Sequence, residues 1–216
     1  MKLVSRIPET AGYPRATREA GRQTRRALVD AAARLFADRG LGDVSAAEIA
    51  RDAGAFPSQV TYYFGSKEGL FVEAACRSML RAAADVERAG ESARSPRGYV
   101  RAVVDTALAA PALLTFLEAS LVVRGRPELA PRVRETFARL HAEAERAVAQ
   151  NLAARGWEIR LQPAEEARGF WAVILGVALE RSVQGEGAGA ASAEAAVELV
   201  LNLYTEPDRP AAHGGR

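Results

Sequence analysis

The chain has 216 residues, 49% of them apolar and 6% aromatic, and carries a net charge of +2. That length supports one large or two small domains with a real core, and a single cysteine, Cys76, excludes an intramolecular disulfide. The charge balance excludes a globally basic nucleic-acid coat, but residues 1–80 hold 12 Lys/Arg against 9 Asp/Glu and the first thirty hold 7 against 3, a weak footprint for phosphate at the front. Residues 1–21 are polar and contain Pro8 and Pro14, unlike a secretory signal. The uncharged run 169–179 is too short to span a bilayer. The expectation is a soluble, cytoplasmic protein with no membrane contact.

Helical periodicity recurs and no alternating strand pattern appears, so the chain reads as all-α with about nine helices. Residues 1–21 and 206–216 lack periodicity and read as flexible tails, the first of them basic. The first helix is expected over 24–39, with Leu28, Ala32, Leu35 and Phe36 as its buried stripe and Gly40 at its end. Ser45 and Glu48 form a capping box, the hydroxyl accepting from the third helical N–H while the carboxylate reaches back. This second helix ends near Ala53-Gly54. Pro57 opens a third helix, in whose first turn a missing N–H is no loss, and Phe64-Gly65 stops it. Ser66 caps a fourth helix toward Gly90. Further helices are expected over 96–109, 111–124, about 129–155, 163–184 and about 192–204. The glycines of 185–189 lack the spacing of a nucleotide-binding loop and no strand precedes them, so they read as a flexible connection. The division is a helix-turn-helix head over 22–80 and a second helical domain over 81–205.

Residues 45–64 carry the main constellation. Gly54 supplies the permissive backbone for a sharp reversal, and Ile49 and Val60 face each other and the first helix. This is the unit that sets its second helix into the major groove of DNA. With Val60 inward and about 100° per residue, Phe64 also points inward, Ser58 and Tyr62 point out, and Gln59 and Thr61 lie on the shoulders. Gln pairs with an adenine edge at two points, Thr donates or packs on a thymine methyl, and Tyr reaches phosphate or base. The alternative is an ordinary polar solvent face.

The stretch AEIARDAGAFPSQVTYYFGSKEGLF resembles the DNA-binding signature of TetR-type regulators, in Tyr62-Tyr63-Phe64, Ser66-Lys67-Glu68 and Leu70-Phe71 above all. The match covers residues 25–75, about a quarter of the chain. The resemblance implies a dimeric transcriptional repressor on a palindromic DNA operator, released by a small-molecule effector; an activator or a ligand-independent regulator is the alternative. It points to Arg25, Ser45, Pro57, Ser58, Gln59, Thr61, Tyr62, Tyr63 and Lys67 as the DNA-binding set. Phe56 departs from the pattern, standing where the family usually has a Ser or Thr cap, a loss of about 1 kcal/mol. Lys67 is one of only two lysines, and in a first turn it opposes the helix dipole. A bound phosphate explains it; a solvated surface lysine is the alternative. Arg22, Arg25 and Arg26 are either a DNA-following arm or a solvated tail.

In the second half, the run GFWAVILGVAL needs cover all round. The resemblance implies a four-helix homodimer interface from the last two helices, with Gly169, Val173, Gly176, Val177, Ala196, Leu199, Val200 and Leu203 as candidates; an internal core is the alternative. Glu194, Glu198 and Asn202 form one polar row on the last helix. The resemblance also implies an effector pocket, for which Leu113, Phe116, Leu117, Glu118, Phe137, Phe170 and Trp171 are candidates. Glu118 is either an orienting group for a cationic or hydrogen-bonding ligand or a surface ion pair. No metal-ligand cluster, nucleophile motif or cofactor fingerprint stands out, so neither an enzyme nor a bound cofactor or metal is expected. Cys76 reads as a small buried apolar residue, with oxidant sensing as the alternative.

Overall fold

The computed structural model describes residues 13–157, 161–184 and 189–204. These form nine α-helices with no strand among the described residues: α1 (Tyr13–Arg39), α2 (Ala46–Asp52), α3 (Pro57–Phe64), α4 (Lys67–Gly90), α5 (Pro96–Ala109), α6 (Ala112–Val122), α7 (Ala130–Arg155), α8 (Pro163–Gln184) and α9 (Gly189–Tyr204). A short 3-10 turn, Pro127–Leu129, leads into α7. The expected glycine connection lies, except for Gly189, outside the described residues, as do the end tail and residues 1–12.

The largest departure from the sequence reading is α1. Residues 13–21, expected to belong to a flexible tail, are helical and extend α1 by more than two turns. This first segment is polar, so it carries no apolar stripe by which a sequence reading finds helices. The chain divides between Leu70 and Phe71 into two compact units, ten residues before the expected boundary.

In the first unit, Leu28, Val29, Ala32 and Phe36 of α1 close over Ile49 and Ala50 of α2 and Val60 of α3. Ion pairs Arg34–Asp52 at 2.7 Å and Arg39–Glu48 at 3.2 Å tie the exposed flanks of α1 to α2. In the second unit, α8 lies against α6, α7 and α9, and α9 against α5. Its core is made by Phe71, Met79, Val100, Leu113, Phe116, Leu140, Ile174 and Val200, among others. Cys76 belongs to this core, and burial pushes its thiol pKa up. That disfavours the thiolate an oxidant sensor needs.

Two polar devices tie the second unit together. Arg155 donates to the carbonyls of Gly90 (3.3 Å) and Glu91 (2.7 Å), placing a cation at the α4 C-terminus, and its guanidinium lies 4.9 Å from the Trp157 ring centre. The expected polar row of α9 is taken up by α5: Arg97 bonds Glu198 at 2.6 Å and Glu194 at 3.1 Å, and Arg101 also bonds Glu194.

Candidate functional site

The reading head is assembled from local chemistry. Ser45 and Glu48 form the expected capping box: Glu48 N–H donates to the Ser45 hydroxyl at 3.2 Å, and Ser45 N–H donates to the Glu48 carboxylate at 2.8 Å. Those bonds, with Arg39 nearby, hold the Glu48 carboxyl at a pKa of about 2, so the cap stays charged far below neutrality. Gly54 takes φ +63 in the turn and Gly65 takes φ +76 at the end of α3, both in the left-handed region that favours glycine. Gly69 is needed for another reason, which the sequence reading missed: a Cβ there would stand 2.1 Å from the Phe64 carbonyl oxygen. Its missing side chain lets α4 start directly beneath the end of α3.

On α3, Val60 is buried while Pro57, Ser58, Thr61 and Tyr62 are exposed, Tyr62 at 80%. Other members of the expected set have partners within the chain. Gln59 is half-buried, and its Oε1 accepts the Phe56 N–H at 2.9 Å, which is half of a capping box that Phe56 cannot reciprocate. The two-point pairing with adenine uses that same oxygen, which already accepts one of the two hydrogen bonds it can take. Tyr63 is half-buried, edge-on to Tyr62 at 4.9 Å, with its hydroxyl 3.3 Å from where a Gly21 Cβ would stand. Arg25 is exposed, and its guanidinium lies over the Phe64 ring at 5.1 Å.

Lys67 has partners within the chain that the sequence reading did not foresee. Its ammonium donates to the carbonyls of Leu41 (2.8 Å) and Val44 (3.0 Å), stitching the α1–α2 loop to the start of α4. Two carbonyl dipoles offset the unfavourable end of the helix dipole.

The second unit contains a cavity of about 40 Å3 lined by α4, α5, α7 and α8. Tyr99, Phe170 and Trp171 line it, as do Glu87 and Glu143. Trp171 Nε1 donates to the Leu140 carbonyl at 3.3 Å, which fixes its ring. Of the expected pocket residues, only Phe170 and Trp171 line this cavity. Leu113 and Phe116 are core, Phe116 packing on half-buried Phe137 at 5.0 Å between ring centres. Leu117 is half-buried and Glu118 is exposed, so Glu118 orients nothing within this cavity. The acid that is buried is Glu166, one turn before Phe170 on the same face of α8 and 0% exposed. Neither of its oxygens has a hydrogen-bond partner of normal geometry. Burial raises its pKa to about 7, with the Leu161 backbone weakly opposing.

Along α8 and α9 the expected interface residues separate by helical phase. Val177, Ala196 and Val200 turn inward into the chain's own core, which corrects their assignment to an interface. Gly169 and Val173 are half-buried. Gly176 and Leu199 face outward, joined by Leu179 and by Val183, which is 82% exposed. The Leu203 side chain lies outside the described residues.

Comparisons with known proteins agree with this architecture. Residues 28–74 match the family model described as bacterial regulatory proteins, tetR family, and residues 96–201 match that of a bacterial transcriptional repressor C-terminal domain. The HTH-type transcriptional regulator BetI of Burkholderia mallei (strain NCTC 10229) is 34% identical over 173 residues, 76% of this chain and 85% of that protein. BetI of Brucella melitensis biotype 2 (strain ATCC 23457) is 31% identical over 191 residues, 85% of this chain and 93% of its own length. A crystal structure from Rhodococcus sp. RHA1, described as that of a transcriptional regulator, superposes with TM-score 0.74 at 38% identity, covering 83% of this chain and 95% of that one. The capped helix-turn-helix head, the helical second unit and these likenesses agree: the chain belongs to the TetR family of DNA-binding transcriptional regulators.

Proposed function

We propose that the protein is a cytoplasmic, non-catalytic, homodimeric repressor that sets α3 into the major groove of a palindromic operator and lets go when an apolar or amphipathic small molecule enters the second unit. The observation that carries the DNA reading is the uncovered face of α3, where Ser58, Thr61 and Tyr62 are exposed on a helix held rigid by Val60, Gly54 and Gly65. The homodimer is supported by the outward apolar residues Gly176, Leu179, Val183 and Leu199, beside which the acids of α9 are paired with arginines of α5.

The effector reading is supported by the aromatic cavity. At about 40 Å3 it holds a few waters, whereas ligand sites typically span about 300–1,000 Å3. A ligand must therefore part the helices around it, and this links binding to shape. The helix α4 lines the cavity through Ala83, Val86 and Glu87 and begins at Lys67 in the reading head. A ligand that prefers the parted state by about 1–3 kcal/mol would weaken operator binding about 5- to 150-fold. Glu87 and Glu143 replace Glu118 as the orienting groups.

The test is a small-molecule screen by tryptophan fluorescence, since Trp171 walls the cavity, followed by operator titration with each hit. Hits should quench or shift Trp171 emission and lower operator affinity. Hits that bind at the cavity and leave DNA affinity unchanged would remove the switch. For the dimer, Leu199→Asp should sediment as a monomer and bind operator weakly. A monomeric wild-type protein with full affinity would contradict the reading.

A further inference from the structure

Phe56 stands at the entrance of α3 with 74% of its surface exposed, where helices ordinarily begin with a hydroxyl or carboxamide. The ring performs neither of the usual tasks of such a position. The ring cannot accept the Gln59 N–H as an N-cap hydroxyl would, and α3 has no side-chain cap at this position. The core between α2 and α3 is filled by Ile49 and Val60. A large apolar group is thus presented at the end of the recognition helix that contacts base edges in helix-turn-helix proteins, beside exposed Pro57, Ser58 and Thr61. Base edges in the major groove present donors and acceptors, with one apolar exception, the C5-methyl of thymine. We propose that Phe56 is a specificity-determining residue that packs on a thymine C5-methyl in each half-site, so that a thymine is read by apolar contact and not by a hydrogen bond. The inference rests on α3 lying in the major groove.

It explains why a phenylalanine is tolerated where a capping hydroxyl would serve the helix better. Gln59 supplies only the return half of a capping box, its side-chain oxygen accepting the Phe56 N–H, so no side chain caps the first turn of α3 and the exposed ring is left for contact outside the helix.

The test uses the full-length protein and a duplex that it selects from a random pool. Each thymine in turn is replaced by deoxyuridine, which removes the methyl and keeps every hydrogen-bonding group. Failure to enrich any duplex would count against α3 as a reader; the methyl question is asked only of an enriched duplex. With the wild-type protein, one thymine per half-site should show about fourfold weaker binding as deoxyuridine, the equivalent of one buried methyl. Phe56→Ala should bind the thymine and deoxyuridine duplexes equally. Phe56→Ser, which restores a capping hydroxyl, should also bind both equally. The proposal is overturned if no replacement changes wild-type affinity, or if both variants keep the wild-type preference for thymine. It is also overturned if both variants lose all duplex binding, because a methyl contact carries only a fraction of the affinity. A large loss in Phe56→Ala beside an indifferent wild type would point to ring stacking between base pairs instead.

Discussion

Replacing Glu166 with glutamine is expected to stabilise the protein above neutrality and to leave it nearly unchanged at pH 4. The side chain is fully buried, with no hydrogen bond of normal geometry on either oxygen, and burial raises its pKa from the ordinary 4.5 to about 7. Below pH 4.5 the folded and unfolded chains both hold the proton, so the burial carries no electrostatic penalty. Between 4.5 and 7 the unfolded chain releases its proton while the folded one keeps it, and stability falls as pH rises. Above about 7 the loss is complete. At about 1.36 kcal/mol per pH unit, the gap from 4.5 to about 7 corresponds to roughly 3 kcal/mol. Glutamine keeps the shape and is neutral throughout, so the gain should be about 3 kcal/mol at pH 8 and close to zero at pH 4. Urea unfolding of the full-length wild type and Glu166→Gln at the two pH values, followed by far-ultraviolet circular dichroism, measures it. An equal effect at both pH values, or none at pH 8, would refute the argument that an uncompensated carboxyl is buried there.

Lys67→Ala is expected to leave the Leu41 and Val44 carbonyls without their ammonium donor and to destabilise the reading head by about 1–3 kcal/mol. In the same variant the dependence of DNA affinity on salt should stay as in wild type, whereas loss of a phosphate contact would reduce the slope by about one unit per half-site. Gly69→Ala should force a methyl against the Phe64 carbonyl, destabilise the chain by about 1–3 kcal/mol and weaken operator binding by shifting α3; unchanged melting and affinity would show that the close approach of α4 to α3 is not needed.

The legible parts of the fold were those written in local chemistry. Ser45 with Glu48, Pro57 at a first turn, Ser66 with its hydroxyl on the Gly69 N–H, and Gly65 after Phe64 mark helix ends through neighbours three or four residues away. Each is found without knowledge of the rest of the chain. The start of α1 was not, because residues 13–21 have helix-compatible composition and no apolar period. The site residues divide in the same way. That Val60 faces inward and Ser58 and Tyr62 outward follows from helical phase alone. That Gln59 folds back onto Phe56, and that Lys67 reaches the 41–44 loop, depends on which backbone groups lie within a side chain's reach. The cavity was misplaced onto α6 because a run of aromatic and aliphatic residues looks the same whether it lines a void or fills a core. Tyr99, Glu143 and Trp171 meet only after four helices are assembled. Glu166 carried a readable signal: an acid one turn before Phe170, on the face of α8 that leads into its apolar run.

The central claim is that the exposed face of α3 reads a specific duplex. The direct measurement is selection from a random duplex pool by the full-length wild type and by a Thr61→Ala/Tyr62→Ala double variant, with both proteins first shown to be folded. Both side chains are exposed, so the variant should melt as the wild type does. The wild type should enrich one palindromic sequence, and the variant should enrich it weakly or not at all while keeping salt-sensitive, sequence-independent binding. Recovery of the same sequence with the same affinity by both proteins would contradict the account.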